Sequence, residues 1–229
     1  MIRTQLTQAL GLRVPLVMGG MQWVGTPMLV AAATNAGALA FLTALTQPTP
    51  EALKAAIRET RAMVDPQISS ERQQYGAFGV NITLLPAIVP PDYGAYARAA
   101  IEEGVRVFET AGNNRMWLRG RSGLTGAAGP VIRALKDAGA FVIHKCTTVR
   151  HGRKALELGA DMLSIDGFEC AGHPGEEDVG GLLLLALAAE QVGGPFIASG
   201  GIANGRGLAA ALALGAQGAN SAYTRGVAA

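Results

Sequence analysis

Short apolar segments alternate with longer amphipathic ones along the whole chain of 229 residues. Runs of about four to eight apolar and branched residues, bounded by polar or glycine positions, are typical of buried β-strands. The pattern predicts eight strands, at 14–21, 38–44, 78–84, 105–110, 140–146, 160–165, 195–200 and 218–222. Amphipathic segments between them predict helices at 27–35, 50–63, 93–103, 130–138, 149–158, 181–192 and 205–214.

This alternation of strands and helices indicates parallel strands joined by helical crossovers. Eight such units predict a single α/β domain over residues 1–229, the (β/α)8 TIM barrel. A doubly wound open sheet is the alternative, and it is disfavoured because the first strand lacks the G-x-G-x-x-G spacing after it. Two stretches, 64–74 and 116–129, interrupt the alternation and are interpreted as surface insertions. Only seven helices are predicted, so the barrel would lack the helix after its eighth strand.

Composition narrows the class of protein. Apolar residues make up 49% of the chain, and the longest apolar run, 182–189, is far shorter than the roughly 20 residues of a membrane span. A net charge of +2 without long runs of one sign argues against nucleic-acid and anionic-membrane partners. The N-terminus does not resemble a signal peptide, and the two cysteines provide neither a disulfide framework nor a metal-ligand spacing. These features predict a cytoplasmic protein with a small-molecule substrate and no metal.

Chemically active residues cluster at the predicted strand ends, which meet on one face of a TIM barrel and carry its active site. The densest cluster is the segment 165–178 after the sixth strand, which contains Asp166, Glu169, Cys170 and His173. The other strand ends contribute glycines, amides, hydroxyls and charges: Gly19, Gly20, Met21, Gln22, Thr43, Asn81, Glu109, Thr110, Gly112, Asn113, His144, Lys145, Ser199, Gly200, Gly201, Asn220 and Thr224. The sequence therefore predicts a polar, glycine-lined rim above an aliphatic barrel.

Two glycine pairs, Gly19-Gly20 and Gly200-Gly201, would leave backbone groups open to a flat ring or a phosphate. Tight strand-to-helix turns alone would also explain either pair. Their coincidence on one face, beside Asn, Lys and Asp side chains, favours cofactor binding. Lys145 follows an apolar run and would be desolvated unless it met an anion or water. A phosphate, an electron-rich ring nitrogen or an ion pair with a neighbouring carboxylate would satisfy it.

The chain has three histidines, and only His173 lies in a loop of small residues that a substrate could reach. The unperturbed pKa of a histidine side chain, about 6.5, suits proton transfer at neutral pH. His173 is therefore the candidate acid–base residue, and packing within its loop is the alternative. We interpret His151 as solvated helix surface, His144 as support for the sheet and Cys170 as a small packing residue.

Six motifs in chain order closely resemble the nitronate monooxygenase (2-nitropropane dioxygenase) family of flavoproteins. They are GGMQWVG at 19–25, GVNITLLP at 79–86, ETAGN at 109–113, HKCT at 144–147, the segment 165–178, and ASGG at 198–201. The string DGFECAGHPG within 166–175 is highly specific, and the resemblance covers almost the whole chain. The match is nearest to the bacterial subgroup of FMN-dependent NADH:quinone reductases.

The resemblance implies a TIM barrel that binds one non-covalent FMN at its C-terminal face. The backbone of residues 18–20 would line the flavin, polar side chains would bond its ring or ribityl chain, and the second glycine pair would cradle its phosphate. The implied cofactor-binding residues are Met18, Gly19, Gly20, Asn81, Lys145, Asp166, Ala171, Gly172, Ser199, Gly200, Gly201, Asn220 and Thr224. His173 matches the family's active-site histidine. The implied reactions are quinone reduction by NAD(P)H and oxidation of alkyl nitronates with O2.

The chain departs from the family pattern after the last strand. The family's usual Asn-Met-Gly-Thr-Arg-Phe is replaced by Asn220-Ser221-Ala222-Tyr223-Thr224, which adds a residue and removes the glycine of the phosphate loop. The family also continues into a last barrel helix and a helical C-terminal region, so we expect a C-terminally truncated barrel. The apolar surface left on strands one and eight would favour association into a homo-oligomer.

Two other functional classes are alternatives to a flavin oxidoreductase. A truncated barrel could bind flavin or phosphate ligands weakly without turnover. Another phosphate-binding TIM-barrel enzyme, such as an isomerase or an aldolase, is disfavoured. Such an enzyme needs a paired acid and base or a Schiff-base lysine in an apolar pocket, and Lys145 beside Asp166 and two glycine pairs fits a flavin better.

Overall fold

The computed structural model describes residues 2–84, 91–112, 128–172 and 178–221. Within them, eight parallel strands form a closed barrel in chain order. The strands are β1 (Leu16–Met18), β2 (Leu39–Thr43), β3 (Gly79–Thr83), β4 (Val107–Ala111), β5 (Phe141–Cys146), β6 (Met162–Asp166), β7 (Phe196–Ser199) and β8 (Ala219–Ser221). Pairing of β8 with β1 closes the barrel, with Val17 opposite Asn220. The predicted TIM barrel is confirmed, and the open-sheet alternative is wrong.

All seven predicted helices are present, with ends that differ by a few residues. They are α2 (Pro27–Asn35), α3 (Pro50–Met63), α5 (Tyr93–Glu102), α6 (Ala128–Asp137), α7 (Val149–Glu157), α8 (Gly181–Gln191) and α9 (Gly205–Ala213). Two further helices, α1 (Gln5–Leu10) and α4 (Pro66–Glu71), and a 3-10 turn at Ala44–Thr46 were not predicted. The predicted absence of a helix after β8 concerns residues outside the described ranges.

Helix α1 packs against the apolar interior of the barrel. Thr4 caps its first turn by accepting a hydrogen bond from the Thr7 N–H at 3.2 Å. Leu6 and Leu10 are buried in one cluster with barrel residues that include Phe41. Sequence periodicity missed this helix because six residues contain only one such apolar pair, too few to establish a helical repeat.

The stretch 64–74, predicted to be a surface insertion, contains helix α4 and is anchored to the barrel. Ile68 is fully buried, and the guanidinium of Arg72 donates hydrogen bonds to the carbonyls of Ala38 and Ala77 at 2.9 and 2.8 Å. Burial lowers the pKa of Arg72 to about 10. The polar composition of this stretch concealed one apolar anchor and one buried cation. Most of the second predicted insertion, 116–129, lies outside the described residues; α6 begins at Ala128.

The interior of the barrel is apolar in one half and polar in the other. Every second strand residue points inward, and near the N-terminal ends of the strands these residues form one buried apolar cluster: Val17, Leu39, Phe41, Val107, Phe141, Ile143, Met162 and Ile197. Towards the C-terminal ends, the inward positions are polar: Thr43, Asn81, Glu109, Lys145, Ser164, Asp166, Ser199 and Asn220. We call this second set the polar layer. It lies beneath the barrel face where TIM barrels bind their ligands.

Candidate active site

A fully buried carboxylate, Glu109 on β4, holds the polar layer together. Its Oε2 accepts hydrogen bonds from the backbone N–H of Gly20 at 2.8 Å and from Nδ2 of Asn81 at 2.6 Å. Its Oε1 accepts from Nδ2 of Asn220 at 2.8 Å. Gly20 follows β1, Asn81 lies on β3 and Asn220 on β8, so one side chain connects four strands across the barrel interior.

Further hydrogen bonds fix the orientation of the two amides. Nδ2 of Asn220 also donates to Oγ of Ser164 at 3.1 Å, and that hydroxyl donates to Oδ1 of Asp166 at 3.2 Å. The Thr83 hydroxyl donates to Oδ1 of Asn81 at 2.9 Å. Most of the polar layer is therefore a connected network, and the hydrogen-bonded residues are positioned relative to one another before any ligand arrives.

Lys145 and Asp166 form an ion pair at the top of the layer, with Nζ and Oδ2 3.4 Å apart. Burial acts to lower the pKa of Lys145, but the carboxylates of Glu109 and Asp166 outweigh burial and raise it. Burial raises the pKa of Asp166, against the opposing effects of Lys145 and of a hydrogen bond with Ser199. Lys145 is therefore a positive charge at neutral pH. The ion pair considered in the sequence analysis is present, and whether Lys145 also binds a cofactor stays a prediction.

The first glycine pair is packed tightly against the network. A Cβ atom on Gly20 would overlap the side chain of Asn81, and one on Gly19 would lie 2.5 Å from Oδ1 of Asn220. The N–H of Gly20 already donates to Glu109, so it is not an open donor as the sequence suggested. Met18 is buried and its side chain packs in the core outside the barrel wall, so its backbone contact with a flavin stays a prediction.

The second glycine pair lies on an exposed edge between the ends of β6 and β7. Gly200 and Gly201 have φ angles of +95° and +71°, and a Cβ atom on Gly200 would lie 2.8 Å from the backbone nitrogen of Cys170. Next along the β6 loop, Ala171 and Gly172 are exposed, and the space around Gly172 is open. These residues form an edge of accessible backbone that adjoins the ion pair, because Asp166 ends β6. We call it the glycine edge.

Two predicted site residues, His173 and Thr224, lie outside the described residues, so their roles stay predictions.

Glu109 is a site residue whose importance was not predicted from the sequence, although it was among the strand-end residues. The available signal was a carboxylate at an inward position of a buried strand. In the described ranges, no group of three or more His, Cys, Asp or Glu is placed to hold a metal ion. The same ranges contain no helix with the length and apolar character needed to cross a membrane.

His151 does not lie on a solvated surface, and that prediction was wrong. Its Nε2 lies 3.0 Å from Nε2 of His144 on β5, whose Nδ1 is 2.8 Å from the Thr110 hydroxyl. The neighbouring arginines suggested a solvated position, but His151 lies one helical turn before buried Ala155 and therefore faces the barrel. His144 is buried against the sheet, as expected.

This histidine pair predicts a loss of stability in mild acid. Burial, together with the charge of His151, lowers the pKa of His144 to about 3, and burial also lowers the pKa of His151. In the unfolded chain the histidine pKa is about 6.5, so the side chains bind protons below that pH, while in the folded state they stay neutral. The free energy of unfolding therefore decreases as the pH falls below about 6.5. For His144, we expect a loss of about 2 kcal/mol between pH 7 and pH 5.

Urea unfolding at pH 7, 6 and 5 measures this loss. In the double variant His144→Gln/His151→Gln, two neutral amides replace the pair, and the difference in unfolding free energy between pH 7 and 5 should shrink by at least about 2 kcal/mol. The single variant His151→Gln should reduce this pH-dependent difference in unfolding free energy by a smaller amount. Carboxylates titrate in all three proteins alike, so an equal pH dependence in wild type and double variant would contradict the assigned pKa shifts.

A closed parallel barrel with a polar layer and an accessible backbone edge at its C-terminal face belongs to the class of α/β barrels that bind ligands at that face. The sequence model of the nitronate monooxygenase family matches residues 3–225. The chain belongs to this family, and the resemblance drawn from its motifs is confirmed.

Individual relatives support the same assignment. The chain is 38% identical over 220 residues to a (3aS,4S,5R,7aS)-5-hydroxy-7a-methyl-1-oxo-octahydro-1H-indene-4-carboxyl-CoA dehydrogenase of Mycobacterium tuberculosis, a match that covers 95% of this chain and 54% of that protein. It is 30% identical over 233 residues to a nitronate monooxygenase of Paraburkholderia phytofirmans, covering 93% of this chain and 63% of the relative. The structure of FabK from Thermotoga maritima superposes with a TM-score of 0.78 at 34% identity, covering 96% of this chain and 61% of that one. The chain thus spans between half and two thirds of each relative.

Proposed function

We propose that this barrel belongs to an FMN-dependent oxidoreductase that acts on a small molecule at its C-terminal face. The observation that carries the proposal is the combination of a fixed cation, Lys145, with an accessible glycine edge above a pre-ordered polar layer. Family membership supports a flavin as the ligand for which this combination is suited. The cytoplasmic location and the homo-oligomer expected from the sequence stay predictions.

The residues present fit the chemical groups of FMN. The pyrimidine end of a flavin ring carries both acceptors and a donor, and the site offers the Lys145 ammonium as donor and Oδ1 of Asn220 as acceptor. The hydroxyl of Thr43 is buried and lacks a hydrogen-bond partner among the described residues. The backbone of Gly200 and Gly201, whose positive φ angles expose successive peptide groups, suits a phosphate. Asn81, Asp166 and Ser199 would support these contacts from below.

A bound flavin would supply the transfer of electrons between two substrates that visit the site in turn. The residues of the chain itself would bind and orient the flavin and the substrate. Lys145 would present a positive charge to the flavin, and the carboxylates of Glu109 and Asp166 raise the pKa of Lys145 and so favour its charged form. The buried polar layer excludes water from below. His173 would hold or move a proton at the reacting carbon of the substrate. The proposed reactions are quinone reduction with NAD(P)H and oxidation of an alkyl nitronate with O2.

A second substrate class is a carboxyl-CoA thioester with an apolar ring system. The relative from Mycobacterium tuberculosis, named for such a substrate, is more similar in sequence than the nitronate monooxygenase above. Large apolar side chains are exposed near the C-terminal face, at Trp23, Met28 and Phe168. Exposed apolar groups of this kind commonly mark a binding surface, and they suit an alicyclic acyl group better than a small nitronate.

Purification with and without added FMN tests the proposal. We expect a yellow protein with about one flavin per chain, because the polar layer is already ordered and little must be rearranged on binding. An anaerobic titration then separates the reactions. Bleaching of the visible flavin band by NADH indicates the quinone reductase, and nitronate turnover without bleaching by NADH indicates the monooxygenase. Bleaching by a saturated cyclic acyl-CoA thioester indicates the second class.

A colourless protein that takes up no FMN would contradict the proposal. It would favour the alternative of a non-catalytic barrel. A protein that binds inorganic phosphate but not FMN would also contradict the proposal. That result would show that the glycine edge binds a phosphate while the neighbouring residues do not bind a flavin ring.

A further inference from the structure

We infer that Glu109 is a positioning residue of the ligand site: its buried carboxylate sets the direction of the amides that border the site and fixes the charge of the polar layer. The inference rests on the proposed function. Within the described residues, Glu109 accepts hydrogen bonds from Gly20, Asn81 and Asn220, and all three are predicted to bind the cofactor. Glu109 itself lies below them and is fully buried.

The partners of Glu109 explain why the residue must be a carboxylate. An ionised carboxylate only accepts hydrogen bonds, so it receives three N–H groups from three strands without a conflict between donors. Among the described residues, no lysine or arginine lies within ion-pair distance of Glu109, and its three hydrogen bonds come from neutral N–H donors. Buried charged groups usually contribute little to the free energy of unfolding, and well-packed apolar residues of similar volume can often replace them without loss of stability. The arrangement therefore points to a role in the site.

The first consequence concerns what Asn220 can offer to a ligand. Both hydrogens of its amide are used, one by Oε1 of Glu109 and one by Oγ of Ser164. Only its Oδ1 remains, so Asn220 can accept a hydrogen bond but cannot donate one. Nδ2 of Asn81 donates one hydrogen to Oε2 of Glu109, and Oδ1 of Asn81 accepts a hydrogen bond from the Thr83 hydroxyl. A single carboxylate thus sets the donor and acceptor pattern of this side of the site.

The second consequence concerns charge. The polar layer contains two carboxylates, Glu109 and Asp166, and one ammonium, Lys145, which leaves one net negative charge. Negative charge beneath a bound flavin disfavours the addition of electrons. Removal of the charge of Glu109 should therefore favour the reduced over the oxidised flavin and raise its reduction potential.

The variants Glu109→Gln and Glu109→Asp separate geometry from charge. Glutamine is isosteric and neutral, and either orientation of its amide places an NH2 group against at least one of the three N–H donors. We expect FMN affinity to fall about 10- to 100-fold, since charged hydrogen bonds are lost. We also expect the bound flavin's reduction potential to rise by about 30 mV, which is a tenfold change for a two-electron couple. Aspartate keeps the charge but is one methylene shorter, so affinity should fall while the potential stays near that of wild type.

Glu102→Gln is the matched control, because it makes the same chemical change at an exposed position of α5 that pairs with Lys54. Its affinity and potential should equal those of wild type. The readouts are FMN titration, the shift of the unfolding midpoint on adding FMN, and the reduction potential of the bound flavin, measured by reduction alongside a reference dye.

If Glu109→Gln binds FMN with wild-type affinity and the bound flavin keeps the wild-type reduction potential, the inference is overturned. If that variant does not fold, unchanged FMN affinity in Glu109→Asp overturns it instead. A wild-type chain that binds no FMN would refute the proposed function itself, which distinguishes the two failures.

Discussion

Lys145→Met is expected to lower the free energy of unfolding by about 3–5 kcal/mol at pH 7 and to weaken FMN binding about tenfold or more. The substitution keeps an unbranched side chain of similar length but removes the cation that faces Asp166 at 3.4 Å and acts on the charge of Glu109. Both carboxylates are buried, and a buried charge that loses its partner is strongly destabilising. Under the proposed function, Lys145 also donates a charged hydrogen bond to the cofactor, and the loss of that bond would weaken FMN binding.

The pH dependence of this loss follows from Asp166. Its folded-state pKa is already raised above the value of about 3.9 in an unfolded chain, and removal of the Lys145 charge should raise it further. When the pKa of a carboxyl group is higher in the folded state than in the unfolded state, the folded state binds the proton more tightly. The folded state is therefore stabilised relative to the unfolded state as the pH falls. The deficit of Lys145→Met relative to wild type should therefore shrink between pH 7 and pH 4.

Urea unfolding at several pH values and FMN titration at pH 7 measure the two effects. Lys154→Met is the control, because Lys154 pairs with Glu157 on the exposed side of α7 and should change stability by about 1 kcal/mol or less. A variant that loses stability but keeps wild-type flavin affinity would show that Lys145 is only an ion-pair partner. A deficit that does not depend on pH would contradict the assigned role of Asp166.

Most of the barrel could be predicted because its strands are buried on both faces. Such strands appear as continuous apolar runs, as 140–143 and 39–42 illustrate, and the helices between them end at recognisable positions. Helices α1 and α4 could not be predicted in this way. Each has six residues, and their burial depends on contacts such as Ile68 with the core that no local pattern reports.

The polar layer was predictable in composition but not in connectivity. The strand-end residues could be collected from the sequence, including Glu109. Its partners, however, are 89, 28 and 111 residues away along the chain, and only closure of the barrel brings them together. The error at His151 has a related cause, since the face that a helix turns towards a barrel depends on packing as well as on neighbouring charges. Local sequence thus reports which groups are available, and topology decides which of them meet.

His173→Ala is expected to leave FMN bound and to reduce turnover of a neutral nitroalkane by about 10²–10⁴-fold. The prediction depends on the proposed function and on the match of His173 to the family's active-site histidine. Removal of a proton from a carbon acid needs a base near the reacting carbon, and histidine at neutral pH is suited to that task. The cofactor contacts proposed above lie on other residues, so flavin content should not change.

Three substrates distinguish the possible roles of this histidine. A pre-formed nitronate has already lost its proton, so its oxidation should be much less impaired than that of the nitroalkane. Reduction of a quinone by NADH involves no carbon acid, and its loss should be smaller still. Pro174→Ala, a change at the next residue that leaves the imidazole intact, is the control and should retain turnover on all three substrates. Equal losses on all three in His173→Ala would instead mean that the side chain holds its loop in place, and the proposed acid–base role would have to be abandoned.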